Sequence, residues 1–232
     1  MAGLFYGRET LRRRTIKACG PLSLNRDQFA VVLASLRRRF RDGEWVDGES
    51  LQVGDLAQQC GVSATPIREA LSRLAGEGLV EDLRGRGYQA RRLDGVDLLD
   101  LYRTQQAMAQ MAVARCGSGV KLEFRLGPQD FIDDPVRTWE AFFEAFIRRA
   151  NAGFLLLEQR RLADRLAPAR RLEPQVLAET AEAFAALAHT IEAADLGAVL
   201  AALEPLFRRR RDAADALVAS MRLNASRYKS HI

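Results

Sequence analysis

Apolar residues recur at helical spacing along most of the chain, and the spacing changes to that of strands after Gly78. Residues 25–43, 53–60 and 64–76 carry apolar positions three or four residues apart, which is typical of helices. Two short strand patterns follow at 79–83 and 87–92 and flank the sequence RGRG, a glycine-bearing hairpin tip. Residues 44–51 are expected to be a connector. Three helices and a β-hairpin in this order predict a winged helix-turn-helix.

The second half of the chain is predicted to be helical from about Asp94 almost to its end. The fold class is therefore mainly α, with an all-α helical bundle after the winged helix-turn-helix. We divide the chain into a basic extension (1–23), the winged helix-turn-helix (24–93), the helical domain (94–225) and a tail (226–232).

A glycine and a proline stand at positions that fit the helix-turn-helix. Gly61 follows the second predicted helix, where the turn needs a positive φ that glycine adopts without strain. Ser63 stands where it can cap the third helix. Pro66 falls in the first turn of that helix, where a missing N–H costs no hydrogen bond. Pro66 is therefore expected to help start the helix rather than to break it.

The third predicted helix has one apolar and one polar face. Its apolar residues at i, i+3, i+4 and i+7 are Ile67, Ala70, Leu71 and Leu74. The polar face carries Thr65, Arg68, Ser72 and Arg73. An arginine near the start of a recognition helix can bind guanine with two hydrogen bonds, and Arg84 and Arg86 at the hairpin tip suit a phosphate or the minor groove. The alternatives are a solvated face or a winged helix that contacts protein.

The charge of the chain agrees with a nucleic-acid partner. The formal net charge is +5 and the pI is about 9.5. Basic residues crowd the N-terminal extension at Arg8, Arg12, Arg13, Arg14 and Lys17, and a second block covers 208–211. Such runs are either solvated or contact a partner. A role of the extension as an arm that binds a DNA groove is a hypothesis.

Several classes of protein are not favoured by the sequence. Cys19, Cys60 and Cys116 are widely spaced and form no CxxC pair, which argues against a disulfide framework or a zinc site. No run approaches the roughly 18 apolar residues of a membrane span. We expect a soluble cytoplasmic protein that does not contact the membrane. The motifs GxSxG and HExxH and a glycine-rich phosphate loop are missing from the sequence, so we expect no enzyme and no cofactor.

Residues 25–92 resemble the DNA-binding domain of GntR-family bacterial transcription regulators. The stretch LAQQCGVSATPIREALSRLAGEGLV and the wing RGRGYQA carry the resemblance. It implies that Ser63, Thr65, Arg68, Arg86 and Gly87 contact DNA. With their neighbours, the predicted DNA-binding set is Ser63, Thr65, Pro66, Arg68, Arg73, Arg84, Arg86 and Gly87. Ala64 and Gly54 depart from the family pattern, which has an arginine and a commonly charged residue at these positions.

Residues 95–225 resemble, less closely, the helical effector domain of the FadR-like (FCD-type) subfamily, through LADRLAPARR and IEAADLGAVLAAL. Many members hold a divalent metal with one Asp and three His. The corresponding positions here are Glu140, Glu144, Phe184 and Leu206, and Gln105 replaces a family arginine. Phe and Leu cannot bind a metal, so no metal site is expected. The candidate effector pocket is Gln105, Glu140, Glu144, Arg148 and Phe184.

The resemblance implies a transcription regulator, most simply a repressor. A homodimer would bind a pseudo-palindromic DNA operator, because a two-fold protein matches two half-sites. The effector could be an acyl-chain ligand or an organic acid, or the helical domain could serve only to dimerise. The alternative function is a dimeric winged-helix module that binds protein and does not read a DNA sequence.

Overall fold

The structure, a computed structural model, describes residues 25–45, 48–117, 119–125 and 127–229. The basic extension (1–23), with its predicted role as a DNA-binding arm, lies outside the described residues.

The N-terminal part is a winged helix-turn-helix, as the sequence predicts. Its elements are α1 (Asn25–Asp42), β1 (Ser50–Leu51), α2 (Val53–Cys60), α3 (Ala64–Gly76), β2 (Val80–Leu83) and β3 (Gly87–Ala90). The strands form an antiparallel sheet in the order β1-β3-β2. Glu81 is opposite Gln89 in one pairing, and Leu51 is opposite Tyr88 in the other. Strand β1 lies in the expected connector, where two residues are too few to show a period.

Helices α1 and α3 pack against each other and against the sheet. The core of this part comprises Val32, Leu36, Phe40, Leu51, Leu56, Ile67, Ala70, Leu71, Leu74, Leu79, Val80 and Ala90. All four apolar positions predicted for α3 are in this core, and each is fully buried. Burial of one face of α3 leaves its opposite face in solvent.

The turn between α2 and α3 has the geometry that its sequence predicts. Gly61 adopts φ 67° at the end of α2, and the N–H of Val62 donates to the carbonyl of Ala57 at 3.0 Å. Pro66 is buried in the first turn of α3. Ser63 precedes α3 but its side chain makes no capping hydrogen bond, so the capping role expected for it is not observed.

The C-terminal part is helical and has a second hydrophobic core. Its helices are α4 (Gly95–Cys116), α5 (Asp130–Asp133), α6 (Pro135–Arg149), α7 (Gly153–Val176), α8 (Ala181–Ala193), α9 (Leu196–Asp212) and α10 (Ala214–Lys229). Asp94 starts α4 by accepting a hydrogen bond from the N–H of Asp97 at 2.8 Å. Aromatic rings fill the centre, where Phe131 and Phe184 stack with centroids 4.9 Å apart. The predicted mainly α fold class is confirmed.

The two parts meet where α1 runs beside α7. Asp164 of α7 accepts hydrogen bonds from Arg37 at 2.6 Å and from Arg41 at 2.5 Å, both on α1. Arg41 also pairs with Glu140 of α6, and Arg171 of α7 donates to Asp42 at 2.6 Å. These contacts connect the first helix of the winged helix to the helical bundle through charged groups.

Candidate nucleic-acid interface

The exposed face of α3 is the first component of the candidate site. Ser63, Thr65, Arg68 and Ser72 are exposed, as predicted from their spacing. Arg68 forms no salt bridge with any residue that the structure describes. Its guanidinium therefore keeps all five donors available for a partner.

Two members of the predicted DNA-binding set on α3 differ from the others in their surroundings. Pro66 is buried, so its ring belongs to the start of the helix and does not lie on the exposed face. Arg73 donates from Nε to Glu77 at 2.9 Å, with 60% of its side chain exposed. Only 7% of the Glu77 side chain is exposed and its carboxylate also pairs with Arg37 at 2.5 Å, so it keeps a partner if the exposed Arg73 turns to a phosphate.

The wing is the second component of the site. The N–H of Arg86 donates to the carbonyl of Leu83 at 2.6 Å, which closes the turn between β2 and β3. Gly85 and Gly87 adopt φ 76° and 91°, values that residues with a Cβ rarely reach. The turn leaves Arg84 and Arg86 exposed at its tip. Two arginines on a short hairpin form a compact positive charge for phosphates.

A shallow depression joins the recognition helix to the wing strand. It is lined by Phe29, Arg68, Glu69, Ser72 and Tyr88. Partial burial, with Asp82 nearby, raises the pKa of the Tyr88 phenol, while Arg68 lowers it. The phenol is therefore neutral at physiological pH and can donate a hydrogen bond. Tyr88 is not among the residues predicted from the sequence; its place directly after the wing glycine Gly87 is the one local feature that points to the wing.

The five residues predicted to form an effector pocket do not line one cavity. Gln105 and Phe184 are buried, whereas Glu140 pairs with Arg41 of α1. Glu144 accepts hydrogen bonds from Arg160 at 2.8 Å and from Arg148, and these lower the pKa of its carboxyl. Glu144 and Arg148 thus contact each other on an exposed helix face.

Gln105 instead belongs to a buried polar cluster between α4, α6, α7 and α9. Its amide oxygen accepts a hydrogen bond from Arg170 at 2.6 Å. A small cavity of about 10 Å³ lies here, lined by Gln105, Trp139, Phe143, Arg170, Leu203, Leu206, Phe207 and Arg210. Gln105 is the only one of the five predicted pocket residues that lines this cavity.

Three buried donors around this cavity have no acceptor among the described residues. They are Nε2 of Gln105, Nε1 of Trp139 and Nη1 of Arg170. Burial lowers the pKa of Arg170 to about 10, so the guanidinium is still protonated at physiological pH. Buried donors without acceptors are costly, so the cluster has the electrostatics of a site for an acceptor group.

Arg210, which also lines this cavity, belongs to a neighbouring group of buried charges that pair with one another. Arg210 forms salt bridges with Glu173 at 2.8 Å and with Glu179 at 2.9 Å. The Tyr102 hydroxyl donates to Glu173 at 2.7 Å, and full burial raises the pKa of this phenol well above its usual value. Each of these charges has a partner of the opposite sign, so this cluster is a structural element of the bundle.

None of the helices in the described ranges combines the length and the apolar character needed to cross a membrane.

Comparison with known proteins places the winged helix-turn-helix in a known class. A winged helix with an exposed basic recognition face is the kind of DNA-binding domain that bacterial transcription regulators carry. The family model "Bacterial regulatory proteins, gntR family" matches residues 29–89. The winged helix-turn-helix therefore resembles the DNA-binding domain of this family, and the relatives that the chain matches are transcription regulators, not enzymes.

Two curated proteins with similar sequences are named as transcription regulators. The Nta operon transcriptional regulator of Aminobacter aminovorans is 42% identical over 66 residues, which are 28% of this chain and 31% of the relative. The HTH-type transcriptional repressor GlaR of Escherichia coli is 27% identical over 138 residues, 53% of this chain and 63% of the relative. The match thus spans less than two thirds of either relative.

Solved structures share the fold over most of the chain. McbR/YncC of E. coli has a TM-score of 0.59 at 21% identity and covers 81% of this chain and 96% of its own. A structure from Rhodococcus sp. RHA1, described as a GntR regulator, has a TM-score of 0.56 at 20% identity, with coverages of 83% and 98%. The arrangement of a winged helix followed by a helical domain is thus found in other proteins.

Proposed function

We propose that this chain is a sequence-specific transcription regulator that binds operator DNA in the cytoplasm. The observation that carries the proposal is the exposed surface formed by α3 and the wing. Arg68 lies on the recognition helix without a salt bridge to any described residue, and Arg84 and Arg86 lie at the wing tip. Arg68 would read a base edge, while the wing arginines would bind the DNA backbone. The name of the GlaR relative supports a repressor.

The division of the chain into 24–93 and 94–225 is part of this proposal. It is supported by two separate hydrophobic cores, one ending at Ala90 and the other starting at Leu93. The first core holds the recognition surface, and the second belongs to the domain to which we assign effector binding and dimerisation.

A homodimer that binds a pseudo-palindromic operator is the second part of the proposal. Support comes from an exposed apolar surface on the helical domain, where Phe154 is 74% exposed, Leu157 50% and Met111 47%. Phe154 and Met111 line the same surface depression, between the start of α7 and the end of α4. Exposed apolar clusters of this kind mark interaction sites. A second copy on a two-fold axis would place two α3 helices in major grooves about one DNA turn apart.

Effector binding is the third part, and the site we assign to it is the cavity beside Gln105 and Arg170. Unpaired donors of Gln105, Trp139 and Arg170 favour a ligand with a carboxylate or carbonyl group, that is, an organic acid or an acyl ligand. The cavity has room for about one water molecule, so such a ligand would have to widen it. Carboxylates that bind there should raise Tm by mass action, and Trp139→Phe, which removes one donor, should reduce that rise.

The experiment that tests DNA reading is fluorescence anisotropy of the full chain on fragments of its own upstream region and on random DNA, at two salt concentrations. Arg68→Ala should remove about 1–3 kcal/mol of discrimination between the two classes of DNA. Arg103→Ala is the matched control, since Arg103 is exposed on α4, outside the candidate interface. Equal binding to every fragment, unchanged by Arg68→Ala, would contradict the proposal and favour a winged helix that does not read sequence.

A further inference from the structure

A cleft between the winged helix and the helical domain is distinct from the DNA surface and from the cavity beside Gln105. It holds about 80 Å³ of free space. Its walls combine buried apolar side chains from both domains, among them Phe40, Leu79, Leu93, Leu172 and Val218. These side chains make the walls of the cleft apolar, which suits a hydrocarbon or aromatic group.

The polar groups of the cleft are mostly cationic. Four arginines line it, Arg91, Arg165, Arg171 and Arg222, against two carboxylates. Both carboxylates already have arginine partners, because Asp164 accepts from Arg37 and Arg41, and Asp42 accepts from Arg171. Asp42 therefore offsets the charge of Arg171, and Asp164 pairs with arginines of α1 that do not line the cleft, so neither carboxylate pairs with Arg91 or Arg165.

Arg91 and Arg165 form no salt bridge with any residue that the structure describes. A methyl group placed at Gly78 would lie 3.6 Å from Nη1 of Arg91 and 3.9 Å from Nε of Arg165, so both guanidiniums border the same small space. Burial and the charge of Arg91 lower the pKa of Arg165, although Asp97 opposes this effect. Arg91 is exposed and Arg165 is half-buried, and two like charges that border the same space repel each other unless an anion lies between them.

We propose that this cleft binds an amphipathic anion, with a carboxylate or phosphate head held by Arg91 and Arg165 and an apolar body against the walls of the cleft. Arg91 follows β3 of the wing, and Arg165 belongs to α7 of the helical domain. An anion bound to both arginines would hold the two domains together beside the contact between α1 and α7. Such a ligand changes DNA binding only to the extent that it prefers one placement of the winged helix over another.

Trp45 lines the cleft and gives a local signal for the test. The full chain is titrated with octanoate, octyl phosphate and the neutral octan-1-ol, and tryptophan fluorescence is recorded, with Trp45→Phe as the control for the origin of the signal. The two anions should bind saturably, and each should bind at least about tenfold more tightly than the alcohol, as expected for charge-assisted hydrogen bonds. Binding by only one of the anions identifies which head group the site takes.

Arg165→Gln should weaken binding of the anions about tenfold and leave octan-1-ol unaffected. Arg160→Gln is the matched control, because Arg160 lies on the same helix but is exposed and pairs with Glu144. Equal affinity for acid and alcohol, an equal effect of both substitutions, or no change in the Trp45 signal would overturn the proposal. The titration contains no DNA, so its failure is distinct from a failure of the proposed regulator function.

Discussion

Asp164 of the helical domain accepts a hydrogen bond from Arg41 of the winged helix at 2.5 Å, and its second oxygen accepts one from Arg37 at 2.6 Å. One carboxylate on α7 thus pairs with two arginines on consecutive turns of α1. Burial opposes the charge of Arg41, but the hydrogen bonds with Glu140 and Asp164 raise its pKa overall. Helix α1 also packs against the recognition helix, so this carboxylate connects the bundle to the element that supports α3.

Asp164→Asn should therefore destabilise the protein and weaken the connection between its two parts. The substitution keeps the shape of the side chain but leaves two largely buried guanidiniums without their shared charge. We expect the free energy of unfolding to fall by about 1–3 kcal/mol. Chemical denaturation measures the loss, and the transitions of the two parts should separate.

Asp42→Asn is the control for this prediction. Asp42 also joins α1 to α7, through Arg171, but its side chain is 33% exposed, compared with 10% for Asp164. A loss of stability equal to that of Asp164→Asn would show that burial of the carboxylate is not the cause.

Removal of both wing arginines should change the salt dependence of DNA binding more than its sequence preference. Arg84 and Arg86 are exposed at a hairpin tip, where they suit phosphates. The double substitution Arg84→Ala and Arg86→Ala should reduce the slope of log affinity against log salt by about 1 for each phosphate that the wing no longer binds. Anisotropy titrations at several salt concentrations measure it. An unchanged slope would mean that the wing does not bind the DNA backbone.

Phe154→Asp should dissociate the proposed homodimer. Phe154 is the most exposed of the large apolar side chains in the described residues, and a charge at the centre of an apolar interface would be buried without a partner. Sedimentation or light scattering across a range of concentrations should then show monomer where the unchanged chain is dimeric. Val31→Asp is the control, since Val31 is 62% exposed on α1, away from this surface. A dimer that survives Phe154→Asp would place the interface elsewhere.

Tyr102→Phe should destabilise the helical domain without changing its shape. The hydroxyl of Tyr102 donates to Glu173 at 2.7 Å inside the bundle, and its removal leaves a buried carboxylate oxygen with one hydrogen bond fewer. We expect a cost of about 1–3 kcal/mol in the free energy of unfolding. Tyr88→Phe removes a hydroxyl from the half-buried wing strand and should stay within about 0.5 kcal/mol. Similar costs for both would argue against a special role of the buried carboxylate.

The candidate DNA surface was predictable from sequence to a large extent, but the effector pocket was not. Thr65 and Arg68 share a face with Ser72 because of helical periodicity alone, and the structure exposes all three. The resemblance to the FadR-like subfamily grouped Gln105 with Glu140, whereas the fold directs Glu140 to Arg41 of another domain. Tyr88 was missed because its position beside Arg68 depends on how the wing strand packs against α3.

The sequence by itself determined the features that depend on neighbours along the chain. Helix α3 begins at Ala64 and ends at Gly76 because apolar spacing, Pro66 in the first turn and Gly78 after the end are all local signals. Only the tertiary structure decided the contacts between distant residues. Arg41 and Asp164 are 123 positions apart, and Arg170 and Gln105 are 65 apart. Such pairs leave no periodic pattern, because packing of whole helices decides which charges meet.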